Sequence, residues 1–255
     1  KVILAYKDNG FSPSRGTSVV LSVNGTSISK GTAFVFNSNT AYPSVTKLSA
    51  TKAIVAYTAA GSSSNGTTRI LNVDGSSITA GSEVVFESSS STTSNITTLS
   101  ATKALVVYRN TGNSSQGRAR VLTVSNNSIS AGSAAVFDSS GSVEVPTVRA
   151  LTATKAIVAF ADGSVKNGTA KVLTISNTSI SVGAAHVFGN DIFANMSLDF
   201  VSATQALLSF SSASDIELGF YTTLTIDGTT VTSDRAQLFT DSTRQSIIVN
   251  MSATK

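Results

Sequence analysis

No cysteine and no tryptophan occur in the chain, only three prolines, and a single histidine, His186. Without thiols there is neither a disulfide framework nor thiolate chemistry, so the fold must hold by packing and hydrogen bonding. The one histidine lies in an apolar run beside Val187 and Phe188. A catalytic triad or a histidine metal centre is therefore not expected. No run of eighteen apolar residues exists, so membrane insertion is not expected. Charged residues are 13% of the 255, and Ser, Thr, Asn and Gly take their place. That composition makes turns and solvated loops rather than exposed helices.

What is present is a repeat, and it decides the fold class. The phrase Ser49-Ala50-Thr51-Lys52-Ala53-Ile54-Val55-Ala56-Tyr57 recurs at Ser100 to Tyr108, Thr152 to Phe160 and Ser202 to Phe210. Its closing aromatics, Tyr6, Tyr57, Tyr108, Phe160 and Phe210, are 51, 51, 52 and 50 residues apart. A second set keeps the same period: Phe36, Phe86, Phe137, Phe188 and Phe239 each end a short apolar run. Residues 1–255 thus read as one domain of five repeats of about 51 residues.

Each repeat offers four strand candidates. In the second copy, Lys52 to Tyr57 is a continuous apolar run, the pattern of a strand covered on both faces. Arg69 to Val73 and Ser77 to Phe86 flank Asp74-Gly75, a dipeptide suited to a tight hairpin because both positions tolerate positive φ. Asn24-Gly25 and Asp227-Gly228 stand at the same place elsewhere. A fourth strand, Asn95 to Thr102, follows a Ser/Thr-rich loop and turns into the next copy. Four antiparallel strands per unit, without a helical period, predict an all-β, five-bladed β-propeller of four-stranded blades. A solenoid coil is about half as long, and a trefoil needs three repeats.

The chain starts inside a repeat, so a targeting segment is expected to have been removed or never included. It ends on Ser252-Ala253-Thr254-Lys255, the phrase that elsewhere precedes the apolar run with which it begins. The expectation is a ring closed by a C-terminal strand, about Gln245 to Ala253, joining the N-terminal blade.

The plan resembles that of β-propeller repeat proteins over the whole chain, and among five-bladed ones it is similar to tachylectin-type lectins. The resemblance is architectural: Trp-Asp blade endings, Asp-box tryptophans and kelch-like aromatic pairs are missing, and no binding residue is carried over. It implies a non-catalytic, lectin-like module with glycan partners.

Antiparallel parity places the Ser-Ala-Thr-Lys turns and the hairpins on one face, and the long loops, different in every copy, on the other. Loops on a rigid scaffold commonly carry recognition. Aromatics off the repeated positions, Phe11, Tyr42, Phe193, Phe220 and Tyr221, are candidates to stack on sugars or anchor a protein; the other reading is that they fill gaps in the ring. The polar residues after or near each repeated Phe, Asn37, Glu87, Asp138, Asn190 and Asp241, suit either repeated binding pockets or Asx-type turns. Arg149 and Asp199 hold equivalent inner-strand positions and are expected to pair.

The net charge is +4, but several lysines, Lys52, Lys103, Lys155 and Lys255, are copies of one position, and no basic cluster points to nucleic acid. Glycoside hydrolysis needs paired carboxylates, and the inner strands offer Asp199 and, at a loop edge, Glu144. Asp8-Asn9-Gly10 and Asp162-Gly163-Ser164 lack the full spacing of a calcium loop. No cofactor, metal or enzymatic activity is expected. The two functional expectations are an extracellular or cell-surface carbohydrate-binding module, and a structural or adhesive surface, filament or virion subunit that self-associates.

Overall fold

The apolar runs become strands and the Gly, Ser and Asn clusters between them become turns; no helix occurs among the described residues. The computed structural model describes residues 1–61, 63–190, 192–212 and 218–240. Contacts gather the chain into two compact units, Lys1–Asn113 with Arg120–Ser133, and Ser114–Ala119 with Ala134–Lys255. The fold is all-β, with antiparallel pairing throughout, and no sheet closes on itself among the described residues.

In the first unit, β1 (Val2–Asp8) pairs with β2 (Arg15–Asn24). The other edge of β2 is shared by β3 (Ser27–Lys30) and β4 (Phe34–Asn37), lying in line. The same plan follows in β5 (Thr40–Lys47), β6 (Lys52–Ala59) and β7 (Asn65–Asp74), with β8 (Ser77–Ala80) and the start of β9 (Val84–Ser100) beside β7. Next come β10 (Lys103–Asn110), β11 (Gln116–Ser125) and β12 (Ser128–Ala131).

Two strand boundaries differ from the sequence reading. Ser77–Phe86 is not one strand: it breaks at Gly81, whose N–H returns to the Ile70 carbonyl (3.0 Å). The Ser/Thr-rich segment after Phe86 is not a loop, because it finds partners on both sides. Asn65 and Gly66 of β7 pair with Ser90 and Glu87, while Arg109 and Asn110 of β10 pair with Thr92 and Ser91. A backbone paired throughout stays extended whatever its side chains.

In the second unit, β13 (Ala135–Asp138) pairs with the first residues of β11. Two five-stranded sheets follow. One holds β14 (Val143–Thr152), β15 (Lys155–Asp162), β16 (Asn167–Ser176), β17 (Ser179–Val182) and β18 (His186–Gly189). The other holds β19 (Ile192–Phe200), β20 (Gln205–Ser212), β21 (Gly219–Asp227), β22 (Thr230–Ser233) and β23 (Gln237–Thr240). Register is conserved between copies: Val45↔Val55, Ile96↔Val106, Val148↔Val158 and Leu198↔Leu208. The expected closing strand, Gln245 to Ala253, lies outside the described residues.

Inside each unit the two aromatic series meet. Phe36 packs on Tyr57, Phe86 on Tyr108, Phe137 on Phe160 and Phe188 on Phe210, with ring centroids 5.1–5.4 Å apart. Each pair joins the outer edge of one strand set to the second strand of the next, and β9, running from one set into the other, makes the second and third sets a single nine-stranded sheet. The phenylalanine ring also lies against the glycine that begins the third strand: a Cβ on Gly66 would meet Phe86 at 2.5 Å, and on Gly117 would meet Phe137 at 2.3 Å. The hairpins turn through Gly25, Gly75 and Gly228, at φ +58° to +60°, where L side chains are strained.

The Ser-Ala-Thr-Lys turn is preserved for two reasons. Its threonine carbonyl accepts the N–H at the end of the third strand, from Val73 to Thr51, Val124 to Thr102, Ile175 to Thr154 and Ile226 to Thr204 (2.8 Å each). Its lysine reaches the hairpin of the next copy, Lys52 Nζ to the Asn126 carbonyl (2.8 Å) and Lys155 Nζ to the Gly228 carbonyl (3.0 Å). Phe137 is 2% exposed. Phe137→Ala is expected to cost about 3–5 kcal/mol in urea unfolding, the range for a large buried ring.

Candidate functional site

The long loops do not hang free; backbone hydrogen bonds tie them in pairs. Thr40 N–H donates to Ser14 O, Ala60 to Asn39, Ser91 to Ser64 and Gly112 to Ser90, at 2.9–3.0 Å, in the first unit. In the second, Val143 N–H donates to Ser115 O (3.1 Å) and Gly163 N–H to Ser142 O (2.7 Å). Each pair therefore presents a held surface at one end of its sheets, away from the hairpin turns.

The polar positions after the repeated Phe close turns. Asn37 Oδ1 accepts the Asn39 N–H (2.8 Å) and the Thr40 hydroxyl (2.9 Å), and its Nδ2 donates to Glu83 (2.7 Å). Asp138 Oδ2 accepts the N–H of Ser140 at 3.1 Å, and also its hydroxyl. Glu87 Oε1 accepts the Ser89 N–H (3.2 Å) and hydroxyl (2.8 Å). Asn190 is an exposed bend residue. Asp241 lies outside the described residues.

Glu87 does more than close a turn. Its Oε2 accepts the Tyr108 hydroxyl (2.8 Å) and faces Arg120 Nη2 (3.4 Å). In the preceding copy the Tyr57 hydroxyl donates to Glu83, a residue from a different position. A buried phenol needs an acceptor, and two local solutions supply it. Where the aromatic is Phe160 or Phe210 there is no hydroxyl to satisfy.

Burial, then the hydrogen bond and negative charge of Glu83, hold Tyr57 far above the usual phenol range. Burial also raises Tyr108, against the opposing hydrogen bond from Arg120. For Glu87, burial pushes the carboxyl up, but the hydrogen bonds from Ser89 and Tyr108 and the charge of Arg120 outweigh it, leaving it below its ordinary value.

A basic residue recurs on the third strand at a fixed interval: Arg69, Arg120 and Lys171 are 51 residues apart. Arg69 Nη1 donates to the Phe36 carbonyl (2.6 Å) and Nε to the Gly81 carbonyl (3.0 Å). Lys171 Nζ donates to the Phe137 carbonyl (2.6 Å), and Arg120 Nη1 to the Gly132 carbonyl (2.8 Å). These cations anchor neighbouring outer strands. Their 51-residue spacing, like that of Lys52 and Lys103, is the signal that marks them in the sequence.

Among the candidate aromatics, Phe11 is 46% and Tyr42 50% exposed, both at the long-loop end of the first unit. Tyr42 has φ 51°, a left-handed conformation unusual for a bulky residue, and its carbonyl accepts the Ser94 hydroxyl (3.2 Å). Val145 and Asn195 hold the same bulge position with φ 41° and 59°. Tyr221 sits within β21, 37% exposed, its hydroxyl 3.5 Å from Gln237 Oε1. Phe220 stacks on Phe210 at 5.8 Å and serves as packing. Phe193 falls on β19, with its side chain outside the described ones. Arg149 Nε lies 3.9 Å from Asp199 Oδ1, so the expected pair forms. His186 Nε2 shares a 2.8 Å hydrogen bond with the Ser233 hydroxyl.

The depressed Glu87 carboxyl stabilises the fold above its unfolded value, about pH 4.3, and that contribution is lost as pH falls through the lower folded value. Glu87→Gln should cost about 1–3 kcal/mol at pH 7 and give a flatter stability curve between about pH 5 and 3 in urea titrations. Comparison with protein-family models, and with curated proteins, finds no match for this chain.

Proposed function

We propose that the chain is a five-bladed β-propeller serving as a non-catalytic, extracellular or cell-surface module that binds carbohydrate on its long-loop face. Four strand sets of one plan and one register, with β1–β4 repeating the rest of that plan, support the architecture. So does an asymmetry of exposure. Val2 and Leu4 are 55% and 46% exposed, whereas their counterparts Ala53 and Val55 are 2% and 0%. Phe239 is 47% exposed and has no ring partner among the described residues, whereas Phe36, Phe86, Phe137 and Phe188 are 1–5% exposed. A cavity of about 620 Å³ beside β1 is lined by Val2, Ile3, Val20 and Val45. The proposed ring is one closed by a C-terminal strand, Gln245 to Ala253, joining the N-terminal blade. Deleting residues 242–255 should then abolish cooperative unfolding by circular dichroism; an unchanged transition would remove the ring.

The binding reading rests on one observation: Phe11, on a loop, and Tyr42, at the bulge of β5, are exposed at the long-loop end on backbone already tied in place. Rings held before binding lose little freedom when a sugar face stacks on them. Heteronuclear NMR titration with mono- and disaccharides at millimolar concentration should shift amides of residues 8–16 and 37–44. Phe11→Ala with Tyr42→Ala should weaken binding about tenfold or more. No shift with any saccharide would sink the lectin reading.

A second reading, an adhesive or structural subunit, is favoured by a separate feature. Val35, Val85, Val136, Val187 and Leu238 repeat one outward position on the short outer strands and are 43–49% exposed. Self-association in sedimentation velocity that survives the double aromatic substitution, and is lost in Val35→Lys with Val85→Lys, would favour it.

A further inference from the structure

We infer that Phe11 and Arg15 form a site for a carboxylate, carried by an acidic saccharide; this deepens the carbohydrate-binding reading and rests on it. The Arg15 guanidinium lies 3.9 Å above the centroid of the Phe11 ring. Its side chain makes no hydrogen bond or ion pair among the described residues. Arg69 and Arg120, by contrast, spend their donors on carbonyls and side chains of the fold. Arg15 is thus a cation held over a ring with its donors unspent. A guanidinium in that state has lost part of its rotamer freedom before binding, and a carboxylate matches its fork with two parallel hydrogen bonds.

The repeat does not impose this pair. The positions corresponding to Arg15 are Asn65, Gln116 and Asn167, and the loops that precede them contain no aromatic residue. A purely architectural contact would be expected to recur with the architecture. The surrounding loop is held: Gly10 N–H donates to Asp8 Oδ1 (3.0 Å), the Ser14 hydroxyl donates to Asn9 Oδ1 (2.9 Å), and Thr40 N–H donates to Ser14 O (2.9 Å). That leaves the Asn9 amide nitrogen, in the same loop, as a donor for a sugar hydroxyl. One group opposes an anion here: Asp8 faces Arg15 in register across β1 and β2, although its Oδ1 is turned to Gly10. Ring stacking on the uncovered side of Phe11, with charge pairing at Arg15, selects an acidic sugar over a neutral one.

The test is calorimetric or NMR titration of the full chain with a methyl glucuronide, its neutral methyl ester, and a neutral methyl glucoside, at two salt concentrations. The acid is expected to bind about tenfold tighter than the ester, with the preference shrinking at high salt. Arg15→Gln should erase that preference and Arg15→Lys most of it, since an ammonium keeps the charge but not the fork. Asp8→Asn should strengthen the acid alone. Thermal midpoints identify a variant that has merely loosened the loop, and the ester then reports loss of both sugars together. Acid and ester bound alike, or acid binding unchanged in Arg15→Gln, overturns the carboxylate site and leaves a neutral-sugar lectin standing. Failure of all three sugars overturns both.

Discussion

The structure depends on one contact: the phenylalanine at the outer edge of one strand set resting on the aromatic of the next. Phe36 on Tyr57, Phe86 on Tyr108, Phe137 on Phe160 and Phe188 on Phe210 are the same contact four times. A sheet of this length cannot bury both faces by itself, so stability comes from stacking each set on its neighbour. The glycine beneath each ring follows from that contact, because a Cβ there would stand 2.3–2.5 Å from ring carbons at Gly16, Gly66 and Gly117.

Polar chemistry is arranged around the same contact. A phenol in the pair must be satisfied once buried, and Glu83 and Glu87 reach Tyr57 and Tyr108 from different sequence positions. Arg69, Arg120 and Lys171 bind outer-strand carbonyls, and Lys52 and Lys155 bind hairpin carbonyls. Five of the eighteen basic residues are thus internal fastening rather than a surface for anions. That is why Arg15, which fastens only to a ring, stands apart.

The division of labour between the two ends of the sheets has a physical origin. At the hairpin end the turns are constrained by positive φ, at Gly25, Gly75 and Gly228 and at Asn126 and Asn177, and by the threonine carbonyl contacts, with Lys52 and Lys155 adding a bond to the next hairpin. At the other end the backbone bonds between loops are joined by side-chain bonds that differ from copy to copy, such as Ser94 to the Tyr42 carbonyl and Thr111 to Ser90.

Period, strand class and the aromatic core were legible in the sequence because they repeat: burying the same face in successive copies leaves the same apolar pattern in each. The hairpins were legible because Asn-Gly and Asp-Gly leave few alternatives. The break at Gly81 and the long strand through Ser88 to Ser94 were not, since both follow from which neighbours the backbone finds. Nor were the roles of Asn37, Glu87 and Asp138, polar residues whose partners are fixed only when loops meet. The sequence by itself determined the unit and its stacking surface; the tertiary structure alone decided which polar groups are spent holding that unit together. The reason is that burial is a property of one side chain, whereas a hydrogen bond needs two.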